Sequence, residues 1–185
     1  MTDTEIIGLF FERSEQAIVE LAQTHGSPVR KVAYNILGNI QDTEECVNDT
    51  WLAAWNSIPP HKPSPLRTFV CRIARNLATK KYHSNVAQKR NSQYDLALDE
   101  LAECIPDSNT VENICSAKEL ACIINQFLDT LSYEDRFIFM RRYWYADSLA
   151  DIVQMTDMSY GAVSVRLHRT KSKLKNLLMK EGLLV

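Results

Sequence analysis

The chain has 185 residues, of which 45% are hydrophobic, with only 5 Gly, 6 Pro and a formal net charge of −2. That length allows one large or two small domains with real cores, and so little Gly and Pro points to helices. No apolar run approaches the roughly 20 residues of a membrane span. The opening MTDTEIIGLFFERSEQ lacks a basic stretch followed by a long apolar core, so no signal peptide is expected. The expectation is a cytoplasmic protein without membrane insertion.

The near-neutral total hides four blocks. Residues 1–58 carry 3 Lys/Arg against 9 Asp/Glu, residues 59–93 carry 8 against 0, residues 94–135 carry 1 against 10, and residues 136–185 carry 9 against 4. Phosphate binding answers to local field rather than total charge. Two basic blocks between acidic ones suit a chain that touches nucleic acid at two places and a basic partner elsewhere. The five cysteines, at 46, 71, 104, 115 and 122, are odd in number and show no metal-ligand spacing. They are expected as buried reduced thiols, with no metal and no cofactor.

In chain order, Thr4–Thr24 predicts an amphipathic helix with Ile7, Phe10, Phe11, Ile18, Leu21 and Ala22 inward. His25-Gly26-Ser27-Pro28 predicts a break. A second helix then starts at Pro28 and ends at Gly38. DTEECVNDTWLAAWNSI, residues 42–58, predicts a third helix capped by Asp42 or Thr43, with an acidic, partly exposed surface. The seven residues Pro59–Pro65 hold four of the six prolines; they cannot be helical and form a stiff loop.

Leu66–Tyr82 predicts a basic helix with Leu66, Phe69, Val70, Ile73, Ala74 and Leu77 as its core face. Its cations, with Phe69 and Tyr82 near its ends, suit a nucleic-acid surface able to stack bases. Residues 85–115 are polar and then acidic, contain Pro106, and read as a linker with a short helical piece near Tyr94–Cys104. A stripe of Leu120, Ile123, Ile124, Phe127, Leu128 and Leu131 opens a second domain. Ser132, with Asp135 three residues on, starts the next helix.

DSLADIVQMTDMSYGAVSVRLHRTKSKLKNLL, residues 147–178, predicts two helices and a turn. Ser148 and Ser159 cap them. Val163, Leu167, Thr170, Leu174 and Leu177 form the inward stripe of the longer helix. Tyr160, Gly161, Ser164, Val165 and His168 fall on an outward face at about 100° per residue, flanked by Arg166, Arg169 and Lys171. A short helix, a tight turn and a longer basic helix form the helix-turn-helix pattern for the DNA major groove. The competing reading of this stretch alone is an ordinary helical hairpin with a solvated basic face.

Several pieces resemble the bacterial RNA polymerase sigma factors of the extracytoplasmic-function (ECF) group, in the family's order. DTEECVNDTWLAAW resembles DAEDxxQETFLxAW, and LRTFVCRIARNLATKK resembles FxxWLxRIARNLAxD, with RIARNLA intact at Arg72–Ala78. LDTLSYEDRFIFMRRYWYADSLADIVQMTDMSYGAVSVRLHRTKSKL resembles LxxLPxxxRxVFxLRYxxxxSYxEIAxxLGxSxGTVKSRLxRAxxKL. The chain departs from the pattern at Lys80 (family Asp), Asp157 (the turn Gly) and Ser164-Val165 (Lys-Ser). The last pair lies on the DNA-facing surface and bears on which −35 sequence is read.

The resemblance implies an all-α fold of two small domains: residues 1–84 as sigma region 2, residues 85–115 as linker, and residues 116–185 as sigma region 4. It implies docking on the clamp of the polymerase's largest subunit through Glu45, Asn48, Asp49, Leu52 and Trp55. It implies −10 element recognition and melting by Lys62, Arg67, Arg72, Arg75, Asn76, Lys80 and Lys81. Reading of the −35 element would fall to Ser159, Tyr160, Gly161, Ser164, Val165, Arg166, His168, Arg169 and Lys171. Further implied partners are the polymerase flap and an anti-sigma factor. The alternative function is a helix-turn-helix regulator that is not a sigma subunit. An enzyme is not expected, because the four histidines lie far apart and no phosphate loop, nucleophile elbow or metal-spaced cluster occurs.

Overall fold

A computed structural model describes residues 1–85, 93–102 and 117–182. Among these the chain forms nine helices: α1 Asp3–Phe11, α2 Gln16–Leu37, α3 Ile40–Ser57, α4 Leu66–Asn85, α5 Gln93–Ala102, α6 Ala117–Thr130, α7 Tyr133–Tyr143, α8 Leu149–Gln154 and α9 Tyr160–Lys180. They fall into two compact units, Met1–Ser92 and Gln93–Val185.

In the first unit α2, α3 and α4 pack on one another and α1 lies against α2. The predicted break at residues 25–28 does not occur: α2 runs through Pro28. A mid-helix proline costs about 3 kcal/mol. Here the buried stripe of Leu21, His25, Val29, Val32 and Ile36 continues on both sides of it. Each fully buried aliphatic side chain contributes about 1.5–3 kcal/mol, so the stripe outweighs the proline. The interruption falls earlier, at Glu12–Glu15, where Arg13 takes φ 54. Gly38 ends α2 in the left-handed conformation (φ 70) and donates to the Tyr34 carbonyl at 2.8 Å. The cap of α3 is Asn39, whose Oδ1 accepts from the Asp42 amide at 2.8 Å, rather than Asp42 or Thr43.

Small residues let α3 and α4 approach closely: Cys46, Thr50 and Ala54 on one and Cys71, Ala74 and Ala78 on the other are buried. The Cys46 thiol donates to the Ala74 carbonyl at 3.5 Å. Burial, reinforced by the Asp49 charge, pushes that thiol up to about 11, which keeps it protonated and inert. Cys71 is buried as expected but Cys122 is exposed; Cys104 and Cys115 lie outside the described residues.

The second unit is built around Phe127, Leu131, Ile138, Phe139, Tyr143, Ile152, Val163, Leu167, Leu174 and Leu178. The inward stripe of α9 is as predicted, except that Leu178 is the fully buried position and Leu177 only partly so. The helical piece expected inside the linker is α5, and it is not a tether. Its Tyr94 and Ala97 are buried, and its Glu100 grips Arg142 of α7 through two bonds of 3.2 and 2.7 Å. Arg142 also donates to Gln93 at 3.3 Å and to the Asp147 carbonyl at 2.9 Å. A guanidinium only 3% exposed requires such acceptors, and α5 supplies two of the three. Residues 86–92 and 103–115 of the expected linker region lie outside the described residues.

Candidate nucleic-acid and polymerase interfaces

The first surface is one side of α3. At about 100° per residue, Glu45, Asn48, Asp49, Leu52 and Asn56 share a face. Glu45, Asn48, Asp49 and Leu52 are exposed, Leu52 by 59%. Leu52 thus stands in water between the Glu45 and Asp49 carboxylates and the Asn48 amide on this face. Trp55 belongs only to its edge. It is half-buried, 6.0 Å ring to ring from Phe10 and covered by the Arg13 guanidinium at 5.4 Å.

The second surface is α4 with the loop before it. His61–Pro65 together with Thr68, Phe69 and Arg72 line an open cleft of about 300 Å³. Phe69, expected in the core, is only half-buried and forms part of the cleft wall, with the Arg72 guanidinium 5.6 Å above its ring. A cleft with an aromatic wall, a guanidinium and stiff proline backbone can hold a flat ring by stacking. Thr68, Arg72, Arg75, Asn76 and Thr79 share the outward side of α4; Arg72 and Asn76 are exposed and Arg75 is half-buried. Lys80 is exposed at the edge of this side, and Lys62 reaches over the Phe11 ring at 5.0 Å.

Two predicted members of this set point elsewhere. Arg67 is exposed but lies on the opposite flank of the helix. The Lys81 ammonium turns to α3, 2.8 Å from Asp42 and 2.6 Å from Glu45. Desolvation works to lower its pKa, but the bonds to Asp42 and Glu45 outweigh that and hold it above the ordinary lysine value. The same lysine, with Asn39, holds the Asp42 carboxyl below its ordinary value. Lys81 thus cross-links α3 to α4. Besides Lys62 and Arg72, the cleft is lined by His61, Pro63, Ser64, Pro65, Thr68 and Phe69, which the predicted −10 set does not contain. Their one sequence signal was the dense proline segment beside an aromatic near the helix start.

The third surface is in the second unit. The Ser148 hydroxyl accepts from the Asp151 amide at 3.1 Å, and the Ser159 hydroxyl accepts from the Ala162 amide at 3.2 Å. These caps start α8 and α9 where predicted. Between them, Asp157 needs no left-handed backbone, since among the described non-glycine residues only Arg13 and Ala146 have positive φ. Its standing in for the family glycine is therefore unstrained. Ser159, Tyr160, Gly161, Ser164, Val165, His168 and Arg169 are all exposed, so this predicted reading face exists as a surface. Arg166 is instead engaged with Asp135 at 2.6 Å, and the Lys171 ammonium donates to the Glu100 carbonyl at 3.4 Å.

Among the described residues no group of three or more His, Cys, Asp or Glu is placed to hold a metal ion. No described helix is long and apolar enough to cross a membrane.

A helical chain with a capped helix-turn-helix in one unit and a basic helix beside an aromatic-walled cleft in the other belongs to the class of DNA-binding transcription proteins. Family comparison makes that specific. The Sigma-70 region 2 model matches residues 21–87 and the Sigma-70, region 4 model matches residues 123–174. Together they cover more than half of the chain.

The ECF RNA polymerase sigma factor SigE of Mycolicibacterium smegmatis is 25% identical over 88% of this chain, which spans 62% of that relative's length. SigW of Bacillus subtilis, an ECF RNA polymerase sigma factor, is 21% identical over 89% of this chain and 90% of its own. SigL of Mycobacterium tuberculosis, also so named, is 23% identical over 88% and 89%. Among solved structures, CnrH in complex with the cytosolic domain of CnrY aligns over 96% of this chain and 97% of that one, at 21% identity and a TM-score of 0.45. The chain belongs to the sigma-70 family, in its extracytoplasmic-function group of transcription initiation factors.

Proposed function

We propose that this chain binds core RNA polymerase in the cytoplasm, directs it to a specific set of promoters and assists strand opening. Residues 1–84 carry core docking and −10 recognition. Residues 116–185 carry −35 recognition, with α5 as a packed support for that unit. The exposed α3 face of Glu45, Asn48, Asp49 and Leu52, with Trp55 at its edge, meets the basic clamp of the largest polymerase subunit. Lys62, Arg72, Arg75, Asn76 and Lys80 hold the −10 strand by its phosphates while the 300 Å³ cleft takes an unstacked base. In the second unit Tyr160, Ser164, Val165 and His168 face base edges in the major groove, and Arg169 with its basic neighbours positions the helix on phosphate. The same unit also meets the polymerase flap. An anti-sigma factor is the fitting regulator, because it need only cover faces that are exposed in the chain alone.

The observation that carries this reading is the coexistence of the exposed acidic face on α3 with two basic DNA-type surfaces, one in each unit. A plain helix-turn-helix regulator has no use for the first. Run-off transcription with purified core polymerase tests it. Promoter-specific transcripts that depend on the added chain are expected. A chain that shifts DNA but never supports initiation makes the regulator reading the correct one.

A further inference from the structure

The loop that walls the cleft and the helix end that leads into it are held at three points from a single source, the first helix and the turn after it. At the loop's far end, the Leu66 amide opens α4 and donates to Asp3 Oδ2 at 3.1 Å. Asp3 comes from α1, 63 residues away in sequence, and acts as a cap that the loop itself does not supply. Its other oxygen lies 2.9 Å from Nε2 of the buried His25, which fixes the carboxylate in place. In the middle of the loop, the Lys62 ammonium rests over the Phe11 ring at 5.0 Å. Ahead of the loop, in the last turn of α3, Arg13 donates to the Trp55 carbonyl at 2.9 Å, and its guanidinium lies 5.4 Å from the centre of the Trp55 ring. Arg13 reaches that carbonyl from a left-handed backbone, φ 54, which a non-glycine residue adopts only when its surroundings hold it there. The segment from Trp55 to Leu66 is thus gripped at both ends and in the middle.

Resting on the sigma reading above, we infer that α1 is a brace that sets the shape of the −10 base-reading cleft. Asp3, Phe11 and Arg13 are positioning residues for promoter specificity that never touch DNA. The acidic Asp3 is suited to this and to no direct contact, since a carboxylate repels phosphate. With the brace intact, the cleft is preformed, and only a base of the right shape gains from entering it. Without it, the loop adapts to several bases, and discrimination falls before overall promoter binding does.

Two measurements on the full chain test this. In the free protein, Asp3→Ala should speed hydrogen exchange at the Leu66 amide about tenfold or more, the scale of one lost charge-assisted bond, while exchange in α9 stays put. Asp3→Asn, which keeps an acceptor, should restore most of the protection. In the holoenzyme, Asp3→Ala and Phe11→Ala should lower the ratio of open-complex formation between the preferred −10 sequence and its single-base variants about fivefold. Affinity for core polymerase should stay at the wild-type value. Unchanged exchange at Leu66 overturns the brace whatever the chain does on DNA. Faster exchange with wild-type discrimination ratios overturns its role in specificity, as does a uniform loss across all templates. A wild-type chain that supports no initiation at all instead overturns the sigma reading, and the brace then stands or falls on the exchange result alone.

Discussion

Arg166 of the recognition helix places its guanidinium 2.6 Å from the carboxylate of Asp135. The Asp135 amide in turn donates to the Ser132 cap at 3.2 Å, so the carboxylate sits in the first turn of α7, where a helix favours negative charge. The pair ties the middle of α9 to the start of α7. It separates two arginines that the sequence leaves equivalent, because Arg169, three residues on, is exposed.

Arg169→Ala is expected to weaken binding to a −35 duplex and to reduce the slope of log K against log salt by about one, the signature of one lost phosphate contact. Arg166→Ala should change the slope less and lower the stability of the chain by about 1 kcal/mol, as a partly exposed ion pair does. Anisotropy titrations between low and moderate salt, with urea melts of both variants, check the split. Equal slopes for the two variants would contradict it.

On α3, Leu52→Ala should reduce affinity for core polymerase tenfold or more, on the order of 1.4–2 kcal/mol. Thermal stability should change little, since the side chain is 59% exposed. Asn48→Ala with Asp49→Ala should act in the same direction. Equilibrium binding to fluorescently labelled core measures this, and wild-type affinity in both variants would move the docking face elsewhere.

The Lys81 cross-link makes the first unit sensitive to pH at both ends. The folded-state pKa of Asp42 is depressed, chiefly by the Lys81 bond and then by Asn39. Its contribution is therefore present above the unfolded carboxylate value near 3.9 and is lost as pH falls through the lower folded value. Lys81 is raised because its bonds to Asp42 and Glu45 outweigh desolvation. Its contribution holds below the unfolded value near 10.4 and is lost as pH rises through the folded one. Lys81→Met should lower stability by about 1 kcal/mol near neutrality and flatten the acid and alkaline limbs of Tm against pH. A parallel downward shift of the whole profile would count against the linkage.

Glu100→Ala should cost the second unit about 3 kcal/mol, because it leaves Arg142 buried with its main counter-charge gone. Replacing both residues with methionine should recover much of that. Denaturant melts of the full chain, followed by signals from each unit, test whether the loss is confined to the second one. A loss below about 0.5 kcal/mol would return α5 to the status of a loose connector.

What the sequence alone determined is the set of features written in neighbouring residues. Helix type, the Ser148 and Ser159 caps, the Gly38 stop, the inward stripe of α9 and the exposure of Tyr160, Ser164, Val165 and His168 all depend on three- and four-residue spacings or on a single capping group, and such rules act locally. The intact RIARNLA run was equally plain.

The tertiary structure decided which distant partner each charge and each weak helix former meets. Pro28 reads as a break until the buried stripe on both sides of it is seen to pack on α3 and α4. Lys81 reads as a DNA contact until Asp42 and Glu45 are found across from it. Glu100 reads as linker until Arg142 is found buried beneath it. Asp3, 63 residues before the amide it caps, carries no sign of that task in its own neighbourhood. A charge settles wherever desolvation and counter-charge balance best, and in a folded chain that place is set by packing rather than by sequence position.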